Sequence, residues 1–262
     1  MPDAASDLPS EDAAYARDGY VIVRSLFDVD ETRLLLDFAR SDERLANQAY
    51  GRRDSTGQVT KLALWNTAGD DLYSLFARSD RIVDRMERFL GGEVYLWHMK
   101  MMLKEPLVGG AWEWHQDYGY WYDNGCLYPL LSSCLIAVDR ATRANGCLQV
   151  LRGSHQLGRI DHGKTGDQTG ADLERVTEAA KRLELVYVEC EPGDAIFFDS
   201  NLLHRSDQNR SRDSRWSLIA CYNAARNSPY KESRHPSYSP LAKVDRAAIR
   251  RWSEANGAEP PR

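Results

Sequence analysis

From residue 93 onward the chain breaks into short apolar runs separated by turn residues, and that spacing constrains the fold more than any other feature. Residues 93–103, 112–116, 132–138, 148–151, 185–189, 195–199 and 215–222 each read as a β-strand, with Gly, Pro and Asn turns between them. Many short strands punctuated in this way indicate a sandwich or jelly roll. The expected architecture is mainly β, a double-stranded β-helix (a jelly roll) with α-helices packed outside it.

The helical signals lie mostly in the first third. Residues 1–9 are expected to be disordered. Ser10 is placed to cap a short helix through Arg17, with Glu11 and Asp12 favourable in its first turn. A strand follows at 20–24. Asp28 and Glu31 have capping-box spacing, with Asp in place of Ser or Thr, and open a helix to about Arg40 whose apolar face is Leu34, Leu35 and Phe38. A second helix is expected over about 71–90, stopped by Gly91-Gly92. Asp245 starts a last helix that ends before Gly257, so 240–262 reads as a C-terminal helical extension. There is no internal repeat, and 262 residues suit one domain, 1–262, with a sizeable core.

Within the strand-rich region, His115 and Asp117 stand two apart in the stretch WEWHQDY, 112–118. On a β-strand, residues i and i+2 share a face, so an imidazole and a carboxylate would project side by side. Such a pair is common by chance. A second imidazole would complete a two-histidine, one-carboxylate site, which holds Fe(II) on one side and leaves other positions open. The candidate is His204. Pro192-Gly193-Asp194 is a turn signature, and the run after it reads as a buried strand with His204 at or just past its end. A polar turn segment, 207–214, then leads into the strand at 215–222, on which Arg215 and Ser217 share a face. A guanidinium offers paired planar donors and a hydroxyl one more, enough to grip a carboxylate. Ser206, two beyond His204, adds another hydroxyl.

The order of these features resembles the phytanoyl-CoA dioxygenase and ectoine hydroxylase family of non-haem Fe(II), 2-oxoglutarate-dependent oxygenases: H-x-D, then a Gly-Asp turn, an apolar strand and a His, then an Arg eleven residues on. Three further segments are similar to that family: DGYVIVRSLF at 18–27, NGCLQVLRGSH at 145–155 and HRSDQN at 204–209. Together they span roughly residues 15–223, in the right order. The resemblance implies a jelly-roll fold of the cupin-like type. It implies His115, Asp117 and His204 as iron ligands, and Arg215 as the partner of the far carboxylate of 2-oxoglutarate. Iron, 2-oxoglutarate and O₂ would then hydroxylate an unactivated C–H bond of a small molecule, with succinate and CO₂ as by-products. Tyr118, directly after the Asp, Ser206 and Ser217 are further co-substrate contacts on this reading. So are Lys100 and Lys104, of which at least one is expected on a solvated face. Related halogenases lack the carboxylate so that chloride can bind. Asp at 117 therefore implies hydroxylation or desaturation. Residues 61–66, KLALWN, resemble a pocket-lining portion of relatives.

Each residue also has a plainer reading. Arg210 is the alternative anchor if the hairpin is misread. His155 sits in a Gly-Ser-His turn and reads as structural, and His162 and His235 read as surface residues. His98 is open between substrate contact and core packing. Two other functions compete with the oxygenase. A cupin-like metalloprotein would use the same three ligands without 2-oxoglutarate and would have no need of Arg215. A non-catalytic binding protein on a degenerate jelly roll would be expected to have lost a ligand. Composition narrows the partners. A net charge of −5 without a block of basic residues argues against nucleic acid or an anionic membrane, and no apolar run is long enough to span a bilayer. The acidic N-terminus does not read as a signal peptide. Five cysteines, at 126, 134, 147, 190 and 221, form no C-x-x-C and leave one over from full pairing, which favours a reducing, cytoplasmic setting. The expected partner is a small-molecule substrate, and the oligomeric state is not legible.

Overall fold

The computed structural model describes residues 8–165 and 167–257. Its strands are β1 (Tyr20–Val23), β2 (Tyr50–Arg53), β3 (Val59–Trp65), β4 (Val94–Lys104), β5 (Trp112–His115), β6 (Leu131–Ala137) and β7 (Leu148–Leu151). After them come β8 (His162–Thr165), β9 (Gln168–Ala171), β10 (Leu185–Val188), β11 (Ala195–Asp199), β12 (His204–Ser206) and β13 (Arg215–Ala224). The helices are α1 (Leu8–Asp18), α2 (Val29–Ser41), α3 (Glu43–Gln48), α4 (Leu72–Arg78), α5 (Asp80–Leu90), α6 (Asp117–Trp121), α7 (Leu173–Ala180) and α8 (Ala248–Ala255).

Seven strands form one sheet in the order β1-β11-β6-β13-β4-β3-β2, and four form a second in the order β10-β7-β12-β5. Their ladders are antiparallel. Strand alternation divides the core. Met99, Met101, Cys134, Ile136, Phe197, Leu218 and Ala220 face outward, where Leu35, Phe76, Ile82 and Met86 of the helices cover them. Met102, Leu135, Ala137, Ile196, Phe198 and Ile219 face inward, toward Val150 and Val188 of the smaller sheet. A jelly roll with helices outside it is therefore the fold, as the strand spacing predicts. The polar side chains of the site lie in the space between the sheets.

Several boundaries differ from expectation, for physical reasons. Helix α1 begins at Leu8, so Ser10 lies inside the helix rather than capping it; residues 1–7 lie outside the described residues. The helix is fastened by Tyr15 stacked on Phe89 at 4.2 Å and by Glu11 bonded to Arg85 and Arg88. The expected helix over 71–90 is two helices. It breaks at Ser79, whose backbone is extended, because Val244 exchanges hydrogen bonds with Arg78 and Asp80 there. Gly91 does end α5, in the left-handed conformation. The C-terminal segment is helical only over 248–255, and residues 258–262 lie outside the described residues. Asp245 accepts the amide of Ala247, and the helix opens after that turn.

The capping box at α2 is present in full. Asp28 accepts the amide of Glu31 at 2.9 Å, and Glu31 accepts that of Asp28 at 3.0 Å. Glu31 also pairs with Arg81 of α5 at 2.5 Å, so the cap ties two helices together. Asp28→Ala should therefore lower stability by about 1 kcal/mol in a urea melt. A loss under roughly 0.3 kcal/mol would show that the box is incidental.

Candidate active site

His115 ends β5 and His204 opens β12, and the two strands pair so that these residues are register neighbours. Their rings lie 4.0 Å apart, centroid to centroid. Asp117 reaches them differently from the expectation. The strand stops at His115, Gln116 turns the chain, and Asp117 is the first residue of α6. Its Oδ1 lies 3.9 Å from Nε2 of His115 and 3.9 Å from Nε2 of His204. A set of donor atoms from the three residues lies within 4.8 Å of one another, and all three residues are buried.

Both rings are oriented by the backbone. Nδ1 of His115 lies 2.8 Å from the carbonyl of Glu113, and Nδ1 of His204 lies 2.9 Å from that of Leu202. A carbonyl only accepts, so each Nδ1 carries the proton and each Nε2 turns a lone pair toward Asp117, the tautomer that a metal requires. On Asp117 the second oxygen, Oδ2, accepts from the Ser133 hydroxyl at 2.7 Å. That leaves Oδ1 to face the imidazoles. Two neutral imidazoles and one carboxylate in a buried cluster fit a divalent first-row metal such as Fe(II).

Electrostatics keep these groups in ligating form. Burial pushes both histidine pKa values down, and for His115 the neighbouring His204 adds to it. Burial pushes the Asp117 carboxyl up, but His204, Lys100 and the Ser133 hydroxyl outweigh it, and it lies below the usual carboxylate value. Burial also lowers His98, His162 and His235, the last to about 4. Folded imidazoles with lowered pKa values bind fewer protons than unfolded ones below about pH 6.5, so stability falls as pH falls. The metal-free protein should melt well below its neutral-pH temperature at about pH 5, at a cost approaching about 1.4 kcal/mol per pH unit for each such histidine. A flat melting profile over that range would contradict this.

The cavity beside the three groups has the buried Arg215 in its wall, and Lys104 lies behind that wall, bonded to the lining Ser206. It is lined by Lys100, Met102, Trp112, Ser206, Arg215 and Ile219, among others. Arg215 is 5% exposed and donates to Ser217 Oγ at 3.2 Å, while its Nε has no partner. Burial lowers its pKa to about 10. Lys104 is fully buried and donates to Ser206 Oγ at 2.9 Å and to the carbonyl of Asp207. Its pKa lies well below the usual lysine value because of burial and of Arg215. Two desolvated cations with an unfilled donor form a seat for a carboxylate.

A model of the phytanoyl-CoA dioxygenase family matches residues 15–217. The chain belongs to the phytanoyl-CoA dioxygenase family. The L-proline trans-4-hydroxylase of Streptomyces griseoviridis is 31% identical over 183 residues, covering 64% of this chain and 68% of its own. The ectoine dioxygenase of Sphingopyxis alaskensis is 28% identical over 233 residues, covering 82% and 75%. Two solved structures share the fold at lower identity. EctD from S. alaskensis with 2-oxoglutarate and 5-hydroxyectoine has a TM-score of 0.74 at 23% identity, covering 94% of this chain and 89% of that one. The epimerase SnoN in complex with Fe³⁺, alpha ketoglutarate and nogalamycin RO has a TM-score of 0.74 at 22% identity, covering 92% and 95%.

Some residues expected at the site of this phytanoyl-CoA dioxygenase family member stand elsewhere. Tyr118 does not face the cavity. Helix α6 turns it away, and its hydroxyl donates to the carbonyls of Cys126 and Leu127. Arg210 is exposed, which removes the alternative anchor. Lys104 is buried rather than solvated, and Lys100 is half-buried in the cavity wall, so neither lies on a solvated face. Residues 61–65 run along β3 beside β4, with Lys61 exposed, and Asn66 follows the end of the strand. His155 bonds the carbonyl of Ala16, in keeping with a structural role.

His162 and His235 are not surface residues. His162 Nε2 accepts the amide of Gln116, and its ring packs so closely on Gly119 that an added Cβ would meet it at 2.1 Å. It thus props the turn between His115 and Asp117. His235 is 6% exposed. Two positioning residues escape sequence reasoning. One is Ser133, whose only signal in the sequence is a hydroxyl within an apolar strand. The other is Gln116, whose amide spans the carbonyls of Gly158 and Asn201 and the amide of Ile160.

Proposed function

We propose that this chain is an iron- and 2-oxoglutarate-dependent dioxygenase that hydroxylates an unactivated C–H bond of a small molecule. His115, Asp117 and His204 are its iron ligands and Arg215 is the anchor of 2-oxoglutarate. One observation carries the proposal. The cluster of two Nε2 lone pairs and one carboxylate oxygen opens onto a cavity whose lining includes a buried arginine with an unfilled donor. A metalloprotein that does not bind 2-oxoglutarate has no use for that cation. The relatives named L-proline trans-4-hydroxylase and ectoine dioxygenase support a substrate of metabolite size.

Iron, 2-oxoglutarate and O₂ together supply the oxidant for the C–H bond, leaving succinate and CO₂. The protein supplies position and shielding. His115 and His204 are held as neutral ligands by the carbonyls of Glu113 and Leu202. Asp117 stays ionised and presents one oxygen while Ser133 holds the other. Arg215 and Ser217 seat the distal carboxylate of 2-oxoglutarate, and Lys104, braced by Ser206, adds charge beside them. Lys100 stands at the cavity wall on the inner face of β4. The whole chain acts as one catalytic domain. Among the described residues no helix is long and apolar enough to cross a membrane. Five buried thiols, none in a disulfide, support a cytoplasmic setting.

The test is iron-dependent release of succinate from 2-oxoglutarate by the purified protein. Release that follows added Fe(II), and stops with a chelator, supports the proposal; iron binding without 2-oxoglutarate consumption removes it. Ser133→Ala should weaken Fe(II) affinity by roughly tenfold, the scale for losing a group that orients a ligand. Unchanged affinity in a competition titration would show that Asp117 needs no such support.

A further inference from the structure

The two strands that carry His115 and His204 are poorly secured by their own pairing. β5 has four residues, β12 has three, and β5 is the edge of the smaller sheet. Two pairs join them, His204 with His115 and Ser206 with Trp112, and the register shifts between those pairs. A ladder this short is marginal, and a slip of one residue turns every side chain to the opposite face. A slip here would part the two imidazoles, so the register must be fixed from outside the pair.

Asp54 is placed to do this. It opens the turn between β2 and β3, and it is buried. Its Oδ1 builds the turn, accepting from the amides of Thr56 at 2.9 Å and Gln58 at 3.0 Å and from the Thr56 hydroxyl at 2.8 Å. A hairpin turn needs no more than that one oxygen. Its Oδ2 is directed elsewhere, accepting from the amide of Ala111 at 2.8 Å and from Gln208 Nε2 at 2.9 Å. Ala111 immediately precedes β5, and Gln208 stands just past the end of β12. These are the same end of the antiparallel pair. A single oxygen thus joins the entry of one ligand strand to the exit of the other, from a turn 57 and 154 residues away in the chain.

The surroundings are built round this contact. Gly110 lies so close to the turn that an added Cβ would meet the carbonyl of Gln58 at 2.5 Å, and the Thr60 hydroxyl donates to the Gly110 carbonyl at 2.6 Å. Gln208 also donates to Thr56 Oγ1 at 2.7 Å. At the edge of β5, Gln168 accepts from the Glu113 amide and donates to the Ala111 carbonyl, each at 2.9 Å. Side chains therefore hold β5 where its own ladder is short. Burial pushes the Asp54 carboxyl up, but the bonds from Gln208, Ala111 and Thr56 outweigh it and lower it to about 2. An ionised acceptor makes each of those bonds stronger than a neutral one would be.

We infer that Asp54 is a positioning residue for the iron site: through Ala111 and Gln208 it fixes the register of β5 against β12, and with it the spacing of His115 and His204. It acts through the two strands and not by contact with the metal. This rests on the assignment of those histidines as iron ligands above.

The experiment measures Fe(II) affinity by competition with a chelating indicator, and amide hydrogen exchange in the metal-free protein. Asp54→Asn keeps the shape but replaces one acceptor by a donor, so the turn and the strand contacts cannot both be satisfied. Gln208→Glu sets a second carboxylate against Asp54. Each should weaken Fe(II) binding by about tenfold, the scale for losing a group that orients ligands from behind. The double variant Asp54→Asn/Gln208→Glu exchanges donor for acceptor across the same contact, and should return to within about threefold of wild type. Gln208→Ala leaves every bond within the turn in place, which guards against misfolding, and should also weaken binding by about tenfold. In metal-free Asp54→Asn, amides 112–115 should exchange at least about tenfold faster while those of β4 and β11 keep their wild-type rates. A merely structural aspartate would lower the melting temperature, leave iron affinity unmoved and gain nothing from the second substitution. Unchanged affinity in the folded single variants would overturn the inference, as would a double variant weaker than either single one or exchange that rises equally in all strands. Wild-type protein that binds no Fe(II) would overturn the ligand assignment and this inference with it, whereas wild-type binding with unmoved variants overturns the inference alone.

Discussion

Asp117→Ala is expected to lower kcat/KM for hydroxylation by roughly 10³-fold or more, the scale for removing a side chain on which the chemistry depends. The expectation follows from geometry rather than from charge alone. Oδ1 of Asp117 is equidistant, at 3.9 Å, from the two Nε2 atoms, which places it to complete the proposed set of three ligands. Without it, two neutral imidazoles in a buried site would hold a dication with no compensating charge, which is costly in a low-dielectric environment. Asp117→Glu should fare little better. Asp117 is pinned by Ser133, so an extra methylene would carry its oxygen off the point equidistant from the two Nε2 atoms. Fe(II) stoichiometry and succinate formation, measured together, check the point. An alanine variant retaining a tenth or more of wild-type activity would remove Asp117 from the ligand set.

Arg215→Met is expected to raise the KM for 2-oxoglutarate by about 100-fold with a smaller change in kcat, the pattern for a lost binding contact made before the chemical step. Methionine keeps much of the volume while removing the guanidinium. The same substitution should leave the melting temperature of the apo-protein unchanged or raised. Arg215 is a buried cation beside a second one, Lys104, and its Nε has no partner, so in the free protein it costs stability rather than supplying it. A purely structural arginine would behave in the opposite way, with a lower melting temperature and an unmoved KM. Arg215→Lys should recover only part of the affinity, since a point charge cannot reproduce the planar fork.

How far the sequence reveals the molecule depends on whether a feature is set locally. The strands at 148–151 and 195–199 match their expected limits because turn residues bound them on both sides. The capping box at Asp28 is a three-residue device and is equally legible. By contrast, the break at Ser79 is imposed by Val244, far along the chain, and no local signal announces it. The same holds within the site. His115, Asp117 and His204 stand out because few side chain types can hold a metal. Their arrangement does not: Asp117 projects from a helix, where the spacing suggests a strand, and that turn is also what carries Tyr118 away from the cavity. Ser133 acquires its meaning only when β6, paired with β11 and β13, brings its hydroxyl to Asp117, a contact that depends on pairing between distant segments.

Anaerobic optical titration with Fe(II) and then 2-oxoglutarate tests the central claim most directly, because it reads chelation of the co-substrate at the metal without requiring the substrate. The account predicts a weak visible charge-transfer band when 2-oxoglutarate is added, absent in His204→Ala and weakened in Arg215→Met. Stoichiometric iron with no band on addition of 2-oxoglutarate would contradict it, and would leave a metal-binding jelly roll that works without that co-substrate.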